Sequence, residues 1–203
     1  MHRRQFMALS AAGAVASAFA GPARAELVPL NRISAYFNSI RTAQARFMQI
    51  NGDGSRVSGQ MFMHRPGRAR FEYDPPERAL VMAGGGQVAV FDGRSNERRP
   101  EIYPLNRTPL NLILERNVDL SSKARVVIHQ EVEAGTVVGV RDPDNPDAGR
   151  IELLFSGSPI RLAQWVTLDA GGNRTRVILE DLVTGESFAP ALFSITSEMK
   201  GRN

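Results

Sequence analysis

From residue 57 to residue 183 glycine and proline divide the chain into short extended-type segments, and this spacing constrains the fold more than any other feature. Residues 57–65 turn at Pro66-Gly67 into 68–74, which Pro75-Pro76 ends. Residues 78–82 run through Ala83-Gly84-Gly85-Gly86 into 87–92, and Gly93 with Arg94-Ser95-Asn96 opens a loop before 99–103. Extended segments resume at 124–133, 137–142, 150–155, 160–169, 174–183 and 192–196, with Gly171-Gly172-Asn173 as the clearest late turn. Residues 43–49, ahead of Asn51-Gly52-Asp53-Gly54-Ser55, read as one more strand. Short segments joined by residues that tolerate positive φ make antiparallel hairpins.

Helical spacing interrupts this pattern twice. Leu30, Ile33, Phe37 and Ile40 are three and four apart, so they form one stripe of a helix within residues 27–41. Thr108-Pro109 before Leu110, Leu112, Ile113 and Leu114 reads as an N-cap, a proline at the first helical position and a short apolar helix. A sheet of so many strands must curl. The expected fold is therefore mainly β with α (α+β): an incomplete, curled antiparallel β half-barrel, with the helices as a lid over its concave apolar face. A ligand would enter there.

Composition narrows the setting. Arg3-Arg4 precede an apolar, alanine-rich run, residues 6–20, which is too short for a permanent membrane span, and Ala23-Arg24-Ala25 supplies a small-x-small cleavage site. Residues 1–25 thus read as a cleaved signal, by either the general or the twin-arginine export route. Residues 26–203 read as one domain in the periplasm. Removing Arg3, Arg4 and Arg24 turns the balance of 25 basic and 21 acidic residues into 22 against 21, with the signs interspersed, which argues against nucleic acid as a partner. The chain has no cysteine, so it has no disulfide, thiolate metal site or lipid-bearing cysteine.

Residues that carry covalent chemistry are sparse. His64 and His129 each stand alone on a strand, and Phe155-Ser156-Gly157-Ser158-Pro159 lacks the flanking glycines of a nucleophile elbow. Gly84-Gly85-Gly86 joins two strands without a following lysine, so it is a turn and not a phosphate loop. The run from Asp142 to Asp147 has carboxylates but two prolines and no downstream glutamate, and reads as a loop rather than a calcium site. The expectation is a binding protein with no catalytic residue, no metal and no cofactor.

The informative stretch is 57–73. On a strand Val57, Gly59, Met61, Met63 and Arg65 share one face, so an arginine ends a flexible apolar stripe. Arg65 either snorkels to water at the strand end or faces the cavity. Inward positions expected to line that cavity are Met61, Met63, Phe71, Leu80, Phe47 and Leu112, with Ile33, Phe37 and Ile40 on the cover.

These residues resemble the LolA family of periplasmic lipoprotein carriers. Ala45-Arg46-Phe47-Met48-Gln49 matches its Ala-x-Phe-x-Gln strand, and Arg65-Pro66-Gly67-Arg68-Ala69-Arg70-Phe71-Glu72-Tyr73 resembles its Arg-Pro stretch. Pro75-Pro76, Asp92-Gly93 and Thr108-Pro109-Leu110-Asn111-Leu112-Ile113-Leu114 follow in register. The likeness covers residues 30–117 by motif and the later strands by pattern. Phe71 stands where the family commonly has tryptophan, and the loop at 142–149 has no counterpart. The resemblance implies a monomeric shuttle for acylated lipoproteins, loaded by an ATP-driven inner-membrane complex that releases lipoproteins and relieved of its cargo by an outer-membrane acceptor. It also implies that Arg65 is a lid latch, donating to backbone carbonyls of the covering helices. A carrier of another lipid or glycolipid, or an envelope-stress sensor that binds a partner's segment, would suit the same scaffold.

Overall fold

The computed structural model describes residues 27–93, 99–121 and 125–202. The expected signal at 1–25, the loop at Arg94-Ser95-Asn96 and the expected strand start at Ala124 lie outside them. A helix, α1 (Leu30–Ser39), comes first and buries Ile33 and Phe37, two residues of the expected stripe. Six strands follow: β1 (Thr42–Ile50), β2 (Arg56–His64), β3 (Arg68–Tyr73), β4 (Leu80–Gly84), β5 (Gln87–Phe91) and β6 (Glu101–Pro104). A 3-10 turn, Leu105–Arg107, and a short helix, α2 (Asn111–Leu114), lead across to the remaining strands. These are β7 (Val126–Val132), β8 (Gly135–Arg141), β9 (Arg150–Ser156), β10 (Arg161–Leu168) and β11 (Arg174–Thr184).

All eleven strands belong to one antiparallel sheet in the order β6-β5-β4-β3-β2-β1-β11-β10-β9-β8-β7. Each hairpin places neighbours in sequence side by side, and β1 joins the halves by pairing with both β2 and β11. Strands β6 and β7 end the order unpaired with each other, so the sheet is not closed. Its curl follows from a single contact. Strands β3 and β10 are four steps apart, about 19 Å on a flat sheet. The rings of Phe71 and Trp165, one from each strand, nevertheless meet edge to face with centroids 6.3 Å apart. Only a sheet folded round on itself brings them together.

Two sequence expectations differ from the observed elements. Thr108 does not cap a helix: its hydroxyl donates to the Leu105 carbonyl at 2.8 Å, and α2 begins only at Asn111. Residues 192–196, expected as a strand, fall in a 3-10 turn (Pro190–Phe193) and a helix, α3 (Ile195–Gly201). Ser194 caps that helix by accepting from the Ser197 amide, and a run of apolar residues this short does not distinguish strand from helix.

Candidate functional site: the concave face and its latch

Register decides which side chains share the concave face. Ala43, Ala45 and Phe47 of β1 oppose Met63, Met61 and Gly59 of β2, and Met61 and Met63 oppose Phe71 and Ala69 of β3. Gly59 is required here. A Cβ at that position would lie 2.7 Å from the Phe47 ring and closer still to the Glu72 carbonyl. The absent side chain leaves room for the Phe47 ring, which meets Phe71 and Tyr73 edge to face with ring centroids 5.8 and 5.2 Å away. Strands β8 to β11 add Val138, Val140, Ile151, Leu153, Phe155, Trp165 and Val177 to the same cluster.

The covers pack directly onto this face. Ile33 and Phe37 from α1 and Leu112, Ile113 and Leu114 from α2 are all buried in one cluster with the sheet. Phe37 meets Phe155 edge to face at 5.6 Å. Polar stitches set the position of α1. The Asn38 side chain exchanges two hydrogen bonds with the Val118 backbone, Ser34 accepts from the Leu120 amide, and the Tyr36 hydroxyl accepts from the Leu162 amide. The Val28 amide donates to Thr136, and its carbonyl accepts from His129, whose Nε2 therefore carries the hydrogen.

Arg65 lies where the covers meet. Only 4% of the residue is exposed. Its Nη1 donates to the Phe37 carbonyl and, at 3.2 Å, to that of Ile40, while Nε at 3.1 Å and Nη2 donate to the Glu115 carbonyl. Phe37 lies in the last turn of α1, where its carbonyl also accepts from the Ile40 amide, Ile40 caps that helix, and Glu115 follows the last residue of α2, so one guanidinium binds carbonyls at the ends of both covers. The Gly67 amide adds a bond to the Leu114 carbonyl at 2.8 Å. Burial pushes the Arg65 pKa below its ordinary value, and the Glu115 charge offsets part of that. The guanidinium nonetheless keeps its charge at any physiological pH.

Of the residues expected on this face, the structure brings together Met61, Met63, Phe71, Phe47, Ile33, Phe37 and Leu112, with Arg65 at their edge. Leu80 does not join them. It opposes Glu72 and Phe91 and is buried on the convex face with Met82, Ala89 and Phe91, under Ile195 and Met199 of α3. Its neighbour Val81 takes the concave position. Trp165, Phe155 and the carbonyls of Phe37, Ile40 and Glu115 were not singled out in the sequence. Alternation in β9 marks Phe155, but β10 shifts register between Leu162 and Gln164 and buries both Trp165 and Val166, and no residue type marks a carbonyl. Elsewhere, the Asp142 carboxylate turns back onto its own loop, accepting from the Asp144 amide at 2.9 Å and from Asn145. Among the described residues no three His, Asp or Glu side chains gather as a metal would need.

The result is an apolar concave face closed by a helical cover whose ends Arg65 holds. The family profile described as "Outer membrane lipoprotein carrier protein LolA" matches residues 38–196, and the chain belongs to that family. It is 27% identical over 180 residues to an outer-membrane lipoprotein carrier protein of Methylococcus capsulatus, covering 85% of this chain and 86% of that one. It is 28% identical over 193 residues to the protein of the same description from Azotobacter vinelandii, covering 88% and 89%. Among solved structures, a DUF1329 family protein from Desulfovibrio piger has the same fold, with a TM-score of 0.50 at 10% identity, over 83% of this chain and 95% of that one.

Proposed function

We propose that this protein takes up the acyl chains of lipoproteins on its concave face and carries them through the periplasm from the inner to the outer membrane. Residues 26–203 act as one monomeric carrier domain after removal of residues 1–25. An ATP-driven inner-membrane complex that releases lipoproteins would load it, and an outer-membrane acceptor would unload it. It catalyses no covalent reaction. The observation that supports this reading most is Arg65, a buried cation whose hydrogen bonds go to cover carbonyls, so that opening the cover breaks them all together. Met61, Met63, Phe47, Phe71, Ile33, Phe37 and Leu112 would contact the chains.

The energetics suit a shuttle. Each methylene hidden from water contributes about 0.8 kcal/mol, which an acyl chain multiplies many times. The covers already occupy the face, so cargo must displace them and lose the latch. The protein's affinity for cargo is lowered by the stability of its closed form, and that difference helps pass cargo to a stronger acceptor. Arg65→Leu should bind a triacylated lipopeptide as tightly as the unmodified protein or more tightly, and deliver it to outer-membrane vesicles about threefold more slowly. Normal binding and delivery by a folded Arg65→Leu protein would rule the latch out.

A further inference from the structure

Glu115 is held twice. Its carbonyl receives Arg65 from the β2–β3 turn, and its carboxylate receives both terminal nitrogens of Arg125, at 3.1 and 2.7 Å. Arg125 immediately precedes the edge strand β7, and its backbone is fixed there because its carbonyl accepts from the Arg141 amide of β8 at 2.8 Å. The two arginines come from opposite halves of the sheet. Glu115 follows α2 in the chain, and the strand that Arg125 precedes, β7, lies at the opposite end of the sheet order from β6. Both partners of the ion pair are shielded, with side chains 20% and 24% exposed, and a paired fork of this kind fixes direction as well as distance.

We propose that Arg125 and the Glu115 carboxylate are positioning residues of the latch: by anchoring the Glu115 side chain to the edge of the sheet, they aim its carbonyl at Arg65. Glu115 is extended at φ −57°, ψ 152°, just beyond the end of α2, where no helical hydrogen bond holds its peptide. With the carboxylate free, that peptide can rotate and Arg65 loses an acceptor. The pair also keeps a negative charge near a cation that has no carboxylate within hydrogen-bonding reach among the described residues. Opening for cargo would then release both arginines in one event, coupling the two halves of the sheet through one residue. This extends the carrier reading above to how its lid is set.

The test is amide hydrogen exchange on the purified protein, read at Gly67, Val118 and Leu120, whose amides bond the lid or are bonded within it. Arg125→Gln and Glu115→Gln should each raise exchange there about fivefold, the yield of one partly shielded charge-assisted bond, and Arg125→Lys should recover part of the protection. Neither glutamine variant should add anything in an Arg65→Leu background. Unchanged lid exchange would overturn the proposal, as would an increase of equal size with and without Arg65, or one spread through β1 and β9. Binding of a triacylated lipopeptide is measured in parallel. If the lid responds as stated while no variant binds the lipopeptide, the positioning role stands and the acyl-carrier reading falls.

Discussion

Arg65, in the β2–β3 turn, and Arg70, the third residue of β3, hold covers on opposite faces of one sheet, yet they use different partners. On the concave face Arg65 donates to backbone carbonyls alone. On the convex face Arg70 makes ion pairs with Glu72 at 2.6 Å and Glu198 of α3 at 2.9 Å, and donates to the Leu192 carbonyl. Burial acts to lower the pKa of both, but the two carboxylates overcome it at Arg70 and raise the net value, while Arg65 remains lowered. A buried cation held by dipoles gains strong bonds against a large desolvation penalty, so its net grip is small and reversible. The C-terminal segment is fixed more firmly. Gly84 lets the Phe193 carbonyl approach where a Cβ would stand 2.7 Å from it, and Arg202 lies over the Phe91 ring at 4.8 Å. In the carrier reading proposed above, the concave cover is the one that opens and the convex cover the one that stays.

Substitutions in the two apolar clusters give the largest effect. Leu80→Ala and Met61→Ala should each lower stability by about 3 kcal/mol in urea denaturation, as expected for truncating a buried side chain. Only Met61→Ala should alter binding of an acylated probe, because Leu80 lies under α3. An effect of Leu80→Ala on binding, with none from Met61→Ala, would reverse the assignment of faces.

The arginines themselves sharpen the contrast at smaller magnitude. Arg70→Leu leaves Glu198 partly buried without its main partner and should cost about 2 kcal/mol, whereas Arg65→Leu should change stability by less than about 1 kcal/mol. Equal losses in paired denaturation curves would mean that both clamps are structural.

His64 gives the smallest effect. Its ring packs on Phe193 with centroids 5.8 Å apart, and its Nδ1 is buried with no hydrogen-bond partner. Burial first, then the Arg68 and Arg41 charges, hold its pKa below the ordinary histidine value. As pH falls the unfolded chain therefore takes up this proton before the folded one does. The stabilisation is complete above a pH of about 6.5 and is lost on acidification through the folded value. Glu198 stays charged over that range, since Arg70 and Arg202 outweigh the effect of its burial and keep its pKa low. The melting temperature should drop by about 2 °C from pH 7 to pH 5.5, and His64→Phe should abolish that slope. A slope that survives the substitution would place the titrating group elsewhere.

What the sequence determined by itself follows from local rules. Period-two alternation placed Met61, Met63 and Arg65 on one face, turn residues separated β2 from β3 and β4 from β5, and helical spacing marked Ile33 and Phe37. Those signals are carried by residues within a few positions of one another. Leu80 was misplaced because Leu80-Val81-Met82-Ala83 is apolar on both faces, and alternation names an inner face only where the other one is polar. The cover on the convex face, which made both faces of β4 dry, comes from residues more than a hundred positions later. Glu115 and Arg125 likewise look like solvated charges in the chain, and no spacing rule pairs them. Their meeting, and the aim of three carbonyls at Arg65, was decided by the curl of the sheet, which brings the helix ends, the β2–β3 turn and the far edge strand to one place.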